Sequence, residues 1–124
     1  MEHELKYDTE NDIAVLTYKN DFLYKDVEPI FESVKEMFND KPYRQIIVVM
    51  NSAYKVENRE TREALSEKFS KLGVTEVAFI GLSAAVRMIA RVELKTGAVK
   101  LKGEFFKDYK DAVIWLNKQK VILI

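Results

Sequence analysis

Two short, continuous apolar runs constrain the fold of this chain most strongly: RQIIVVM at residues 44–50 and EVAFIG at residues 76–81. Neither alternates apolar with polar residues, which is typical of strands that are covered on both faces. Such strands occur in the middle of parallel sheets that carry helices. We therefore expect the two runs to lie side by side at the centre of one sheet.

Segments with helical spacing of apolar residues alternate with these strands. Asp26 is the predicted N-cap of the first helix, Asn58 and Gly73 bound the second, and Asp108 caps the last. The third begins at Ser83. The four predicted helices are DVEPIFESVKEMFND, NRETREALSEKFSKLG, SAAVRMIARVELKTG, which stops near Gly97, and YKDAVIWLNKQ.

The remaining β-prone runs complete the expected fold. HELKYD and IAVLTYK flank the polar turn at residues 9–12 and predict a hairpin. AVKLKGEFF predicts an edge strand guarded by Lys100 and Lys102. The order ββαβαβαβα indicates a single α/β domain over residues 1–124. We expect about five strands in a mixed sheet, an N-terminal hairpin and then βαβαβα, with about four helices.

Composition narrows the class of protein. The chain has no cysteine, which excludes disulfides, a thiolate nucleophile and a cysteine-ligated zinc site. No apolar run approaches the roughly 18 residues of a membrane span, and the polar, acidic start of the chain does not resemble a secretory signal. We expect a cytoplasmic protein without a transmembrane segment.

Charge is balanced overall but unevenly distributed. The 20 basic and 20 acidic residues create no global field that favours nucleic acid, so no nucleic-acid partner is expected. Residues 1–86 hold 11 Lys/Arg and 16 Asp/Glu, and residues 87–124 hold 9 and 4, so the two parts carry −5 and +5. This asymmetry is explained either by pairing within the molecule or by a basic face that meets a partner.

The stretch TEVAFIGLSAAVRMIARVE, residues 75–93, has the strand-turn-helix layout of a nucleophile elbow around Ser83. A serine nucleophile needs a base within hydrogen-bond reach. The single histidine, His3, lies at the start of the first predicted strand, and Ala85 stands where the elbow carries glycine. We therefore predict that Ser83 caps a helix and that the protein is not an enzyme.

The ends of the two central strands nevertheless form a candidate binding site, because ligands of open α/β sheets gather at the carboxyl ends of strands. A helix N-terminus beside a glycine can bind an anion. Arg87 and Arg91, one helical turn apart, either assist in binding the anion or form a solvated face of the helix. The candidate ligand- or partner-binding residues are Asn51, Ser52, Gly81, Ser83, Arg87 and Arg91.

We expect neither a cofactor nor a metal ion. The acidic run Asp8, Glu10 and Asp12 lacks the glycine and the terminal glutamate of a calcium-binding loop. A glycine-rich phosphate loop is also missing from the sequence. The acidic run is better explained as a polar hairpin tip.

Three phrases, RQIIVVM, EVAFIGLSAAVRMIA and FFKDYKDAVIWL, resemble the SpoIIAA-like family, which belongs to the wider STAS group. That group in turn resembles the CRAL-TRIO lipid-binding fold. The likeness spans nearly the whole chain in the order of its elements. In the last phrase the residues that carry it are Phe106, Asp108, Ala112, Trp115 and Leu116.

The resemblance implies a small, non-enzymatic regulatory or protein-interaction domain. STAS antagonists of anti-sigma factors switch by phosphorylation in an Asp-Ser motif after a central strand. Ser52 is the nearest match to that serine, with Asn51 in place of the aspartate.

Two functions from different classes follow from the sequence. The resemblance, the opposed charges and the apolar KVILI tail favour surface contacts with a protein partner or a second copy as a homodimer. The alternative is a carrier of a small apolar or anionic, lipid-like ligand at the carboxyl ends of the central strands. A cavity beneath those ends favours the carrier, and a filled core favours surface recognition.

Overall fold

The structure is a computed structural model that describes residues 2–51, 53–95 and 101–122. The described residues form one five-stranded sheet and four α-helices, in the predicted order. A short 3-10 turn, Tyr24–Asp26, precedes the first helix. The elements are β1 (Glu4–Asp8), β2 (Ile13–Thr17), α1 (Val27–Met37), β3 (Gln45–Val49), α2 (Arg59–Lys71), β4 (Glu76–Ile80), α3 (Ala84–Lys95), β5 (Lys102–Phe106) and α4 (Tyr109–Ile122).

The sheet is mixed, with the strands side by side in the order β1-β2-β3-β4-β5. β1 and β2 form the predicted antiparallel hairpin, and β2 to β5 run parallel. The two apolar runs pair as expected, with Ile46 opposite Val77 and Val49 opposite Ile80. The predicted α/β fold class is confirmed.

Alternation along the buried strands creates two hydrophobic cores. In β3, Ile46 and Val48 face α1 and α2, whereas Ile47 faces α4. α3 lies on the same side as α1 and α2, because its residues line a space together with Val48 and Val77. Three helices therefore cover one face of the sheet, and α4 covers the other.

Most of the predicted helix caps are present. Asn58 accepts a hydrogen bond from the backbone of Thr61 at 2.9 Å, and Asp108 accepts one from Asp111 at 2.9 Å. Gly73 follows α2 with a φ of 78°.

Asp26 occupies the predicted N-cap position of α1, but its side chain does not act as a cap. The Asp26 side chain makes no cap hydrogen bond to α1. Its carboxylate instead accepts from the backbone of Leu23 at 2.9 Å and lies 3.1 Å from the His3 ring. The carboxylate therefore stabilises the 3-10 turn and the His3 ring and not the first turn of α1.

Two predicted boundaries fall partly outside the described residues. β5 begins at Lys102, and the predicted start of this strand at residue 98 and the helix stop near residue 97 lie in the undescribed range 96–100. α4 continues to Ile122, so the start of the KVILI segment is helical. Residues 123–124 also lie outside the description.

Candidate functional site

Parallel pairing of β3 and β4 brings their exits to the same edge of the sheet. The backbone N–H of Met50 donates to the carbonyl of Ile80 at 2.8 Å, which extends the pairing beyond β3. Gly81 follows with a φ of 86°, and a Cβ built on it would overlap the carbonyl oxygen of Met50. Glycine is required here because two backbone segments pass in direct contact.

A pocket of about 290 Å³, here called the mouth pocket, opens at this edge. Three of the predicted site residues, Asn51, Gly81 and Ser83, line it together. The three residues therefore lie around one pocket at the strand ends, and their role in binding stays a prediction. The other lining residues are Met50, Tyr54, Lys55, Val56, Arg62, Leu82, Val86, Ile89 and Ala90.

A second space, here called the apolar cavity, lies deeper between the sheet and helices α2 and α3, with a volume of about 110 Å³. Its walls are almost wholly apolar and come from Val48, Val77 and Phe79 of the sheet, Leu65 of α2 and Leu94 of α3, among others. Six residues line both spaces, so the cavity and the pocket adjoin. These six are Met50, Val56, Arg62, Leu82, Val86 and Ala90.

An ion pair at the boundary of the two spaces ties α2 to α3. Arg62 donates from Nε to both carboxylate oxygens of Glu93, at 3.0 and 3.2 Å, and from Nη2 to Oε1 at 2.7 Å. The side chain of Arg62 is 32% exposed and that of Glu93 is 11% exposed. Two donor atoms of one guanidinium therefore hold a carboxylate of the neighbouring helix.

Arg62 was not among the residues predicted for the site. A signal was present, because Arg62 precedes Leu65, Ser66 and Phe69 at spacings of three, four and seven residues. That spacing places the arginine on the inner face of α2. Its partner, Glu93, lies 31 residues away and could not be read from α2 alone.

The loop between β3 and α2 forms the outer wall of the mouth pocket. Asn51 Oδ1 accepts from the backbone of Ala53 at 2.9 Å, which turns the chain after β3. The loop is then paired with the segment after β2, since Phe22 donates to the carbonyl of Lys55 at 2.8 Å and Glu57 donates to that of Phe22 at 2.8 Å. Ser52 lies outside the described residues.

The two predicted arginines lie on the other side of the Gly81–Ser83 turn. Arg87 lines a neighbouring surface pocket that Gly81 and Ser83 also line, and Arg91 lies over the ring of Phe105 with its Cζ 5.1 Å from the ring centroid. Among the described residues, neither arginine lines the mouth pocket. Gly81 and Ser83 thus border both pockets, with Asn51 in one and Arg87 in the other, and the binding role of these residues stays a prediction.

Ser83 occupies the position of a helix cap. Its Oγ accepts from the backbone of Val86 at 3.3 Å, and its carbonyl accepts from Arg87 at 2.9 Å. His3 is buried elsewhere, stacked on Phe22, with Nδ1 accepting from the backbone of Lys19 at 3.3 Å. Because Nδ1 is an acceptor, the ring proton lies on Nε2 and is donated to Asp26.

Tyr18 is the tyrosine that lines the apolar cavity. Burial, and secondarily the carboxylate of Asp26, raise the pKa of Tyr18 well above its usual value. Its hydroxyl therefore stays protonated and adds no charge to the cavity.

Two wider features of the described residues are relevant to function. None of the described helices has the length and apolar character to cross a membrane. In the same residues, no three His, Cys, Asp or Glu side chains are grouped so as to hold a metal ion.

The sequence matches the family model of DUF7793, a domain of unknown function, over residues 7–120. The chain belongs to this family. No curated protein sequence matches this DUF7793 chain.

A solved structure similar to the DUF7793 chain is the crystal structure of an uncharacterized DUF3478-family protein with a SpoIIAA-like fold from Shewanella loihica PV-4. The two chains share 15% identity with a TM-score of 0.62, over 92% of this chain and 91% of the other. At this identity the likeness shows the fold alone. The predicted SpoIIAA-like fold is confirmed, whereas membership of the STAS group and the likeness to CRAL-TRIO proteins stay predictions.

Proposed function

We propose that this DUF7793 domain is a non-enzymatic binding domain that carries a small apolar ligand between its sheet and α3. The observation that supports the proposal is the apolar cavity of about 110 Å³, which adjoins a pocket at the carboxyl ends of β3 and β4. A cavity at that place favours the carrier over a domain with a filled core. Surface recognition alone does not require it.

The physical chemistry of the cavity favours an apolar occupant. Cavities lined by Leu, Ile, Val and Phe stay dry, because water finds no hydrogen-bond partners there. The atoms that line an empty space lose van der Waals contacts, and a ligand that fills the space restores them. Binding of an apolar molecule is therefore expected to stabilise the folded domain.

Substitution of Ala90, which lines both the cavity and the mouth pocket, tests the carrier proposal. Ala90→Leu places a larger side chain in the space and should weaken binding of benzene at least about tenfold, measured by calorimetry, since the site is then occupied. Ala84→Leu is the matched control, because Ala84 is exposed on the same helix and lines neither space. Absence of saturable benzene binding to the unaltered chain, or equal loss in both variants, would contradict the proposal.

Protein contact is a second candidate function, favoured by the outer face of α3. Met88 is 70% exposed, Ile89 51% and Val92 56%. With Ala85 they follow the spacing of one helical face, here called the outer stripe. Contiguous exposed apolar residues mark interaction surfaces. We propose a homodimer formed through this stripe.

Sedimentation velocity over a range of concentrations tests the dimer. The unaltered chain should associate as concentration rises, and Met88→Ser combined with Val92→Ser should shift it to monomer. Val121→Ser is the control, because Val121 is also highly exposed but belongs to α4. A monomeric unaltered chain rules out self-association, and a response to Val121→Ser alone would move the interface to the tail.

A further inference from the structure

The mouth pocket and the apolar cavity differ in charge. Lys55 and Arg62 line the mouth pocket, and no described carboxylate residue does. Glu93 lines the deeper cavity instead, where Arg62 occupies its oxygens. A ligand in the cavity therefore extends toward a region of positive charge.

Arg62 keeps hydrogen-bonding capacity for a ligand. Its Nε and Nη2 atoms bond to Glu93, while Nη1 has no hydrogen-bond partner among the described residues. Because the guanidinium is planar and rigid, the bonds to Glu93 also hold the remaining edge in place. The N–H groups of an arginine so oriented can donate hydrogen bonds to the oxygen atoms of a carboxylate.

The neutral groups of the mouth pocket are also mainly donors. The Ser83 hydroxyl accepts from the backbone of Val86, which leaves its own proton for another acceptor. The Asn51 side chain uses its oxygen on Ala53, and its NH₂ group has no partner in the described part of the chain. Together with Lys55 and Arg62, these groups match a ligand head rich in acceptors.

We propose, building on the carrier function above, that the ligand is an amphiphilic organic anion. Its short apolar tail fills the apolar cavity, and its carboxylate-type head accepts hydrogen bonds from Arg62 and Lys55 in the mouth pocket. A cavity of about 150 Å³ holds benzene in another protein. The apolar cavity here is somewhat smaller, about 110 Å³, but adjoins the mouth pocket, so a single ring or a chain of about five or six carbons suits it.

Three probes of six carbon atoms each distinguish the contribution of the head group from that of the tail: 1-hexanol and hexylammonium, which carry a hexyl chain, and hexanoate, whose alkyl tail is one carbon shorter. Calorimetry at neutral pH should find hexanoate bound about tenfold tighter than 1-hexanol, a difference of about 1.4 kcal/mol, and hexylammonium bound most weakly.

Substitutions expected to weaken hexanoate binding and one expected to strengthen it test the roles of these residues. Arg62→Gln and Lys55→Gln should each weaken hexanoate binding several-fold and leave 1-hexanol unchanged. Glu93→Gln should strengthen hexanoate binding, because Arg62 then has no competing carboxylate. Lys35→Gln is a charge-matched control on exposed α1 surface. Lys55 forms no ion pair among the described residues, so its variant stays informative even if the Arg62 variant does not fold.

The outcomes distinguish the ligand class from the carrier function. If the three probes bind equally, or hexylammonium binds most tightly, the anionic head is wrong and the carrier stands. If benzene binds but hexanoate does not, the same conclusion holds. If neither benzene nor any of the three probes binds, both proposals fail.

Discussion

Gly81 shows at the residue scale how backbone geometry can require one amino acid. Its φ of 86° lies in the left-handed region, and a Cβ would overlap the Met50 carbonyl. Gly73 has a similar φ of 78°, yet a Cβ there would meet only the Cδ of Arg44 at 3.7 Å, an ordinary contact. Comparison of the two positions therefore distinguishes the cost of a left-handed backbone, which both share, from the cost of steric overlap, which arises only at Gly81.

Alanine at each position should show this difference. Gly73→Ala is expected to lower the free energy of unfolding by about 1–2 kcal/mol, the cost of a left-handed non-glycine residue. Gly81→Ala should lose about 1–3 kcal/mol more, because the Met50 carbonyl must also move. Urea unfolding measures both losses. Equal losses would mean that the close approach at Gly81 has no energetic consequence.

Individual contacts were predictable from the sequence only where they are local. Asn58 and Asp108 cap the helices that begin beside them, as predicted, since the bonded partners lie three residues away. Asp26 follows the same rule in sequence but bonds to His3, 23 residues distant. The ion pair of Arg62 was not predictable for the same reason, because its partner Glu93 lies 31 residues away.

At the scale of single elements, α3 has two apolar faces with different surroundings. Val86, Ala90 and Leu94 border the apolar cavity, while Met88 and Val92 of the outer stripe are exposed. Helical spacing in the sequence predicted the helix but could not tell which face is covered. The order of strands and helices was predictable, because burial on both faces leaves continuous apolar runs.

Hydrogen exchange should show that α3 opens more readily than its neighbours. Few buried contacts are lost when a helix with an exposed face and a cavity beneath it separates from the sheet. The amides of residues 88–91 should exchange at least about tenfold faster than those of residues 65–68 in α2, and benzene should slow them. Equal protection in the two helices would contradict this expectation. α4 serves as an internal reference, since Ala112 and Leu116 are fully buried.

At the scale of the whole molecule, side chains join the first hairpin to the last helix. Tyr109 of α4 donates a hydrogen bond to the Asp8 carboxylate, and Lys120 donates to the carbonyl of Asn11. Asn11 adds bonds to Asp8 from its backbone at 3.1 Å and its side chain at 2.9 Å. These contacts connect the two ends of the described chain.

The contacts predict a pH dependence of stability. Burial alone would raise the pKa of Asp8, but the hydrogen bonds from Tyr109 and Asn11 lower it below its usual value. Since the folded pKa is below the unfolded one, the stabilisation is present above about pH 4, the unfolded value, and is lost as pH falls through the folded pKa.

Tyr109→Phe should remove part of this effect. At pH 7 the variant should lose about 0.5–1 kcal/mol, a value reduced for partial exposure. The loss should disappear at acid pH, where Asp8 is protonated. Urea unfolding from pH 2 to 7 and NMR titration of Asp8 measure the two effects. Tyr24→Phe, at another exposed tyrosine, is the control; a loss independent of pH would contradict the mechanism.

The distribution of helices, three on one face and one on the other, has a consequence for protein engineering. The cavity and mouth pocket lie on the three-helix face, whereas Ile13, Ile47 and Leu116 pack on the face of α4. Repacking around those residues can alter thermal resistance without changing the walls that select a ligand. Thermal stability and ligand specificity can thus be optimised in two independent libraries of variants, one for each face of the sheet.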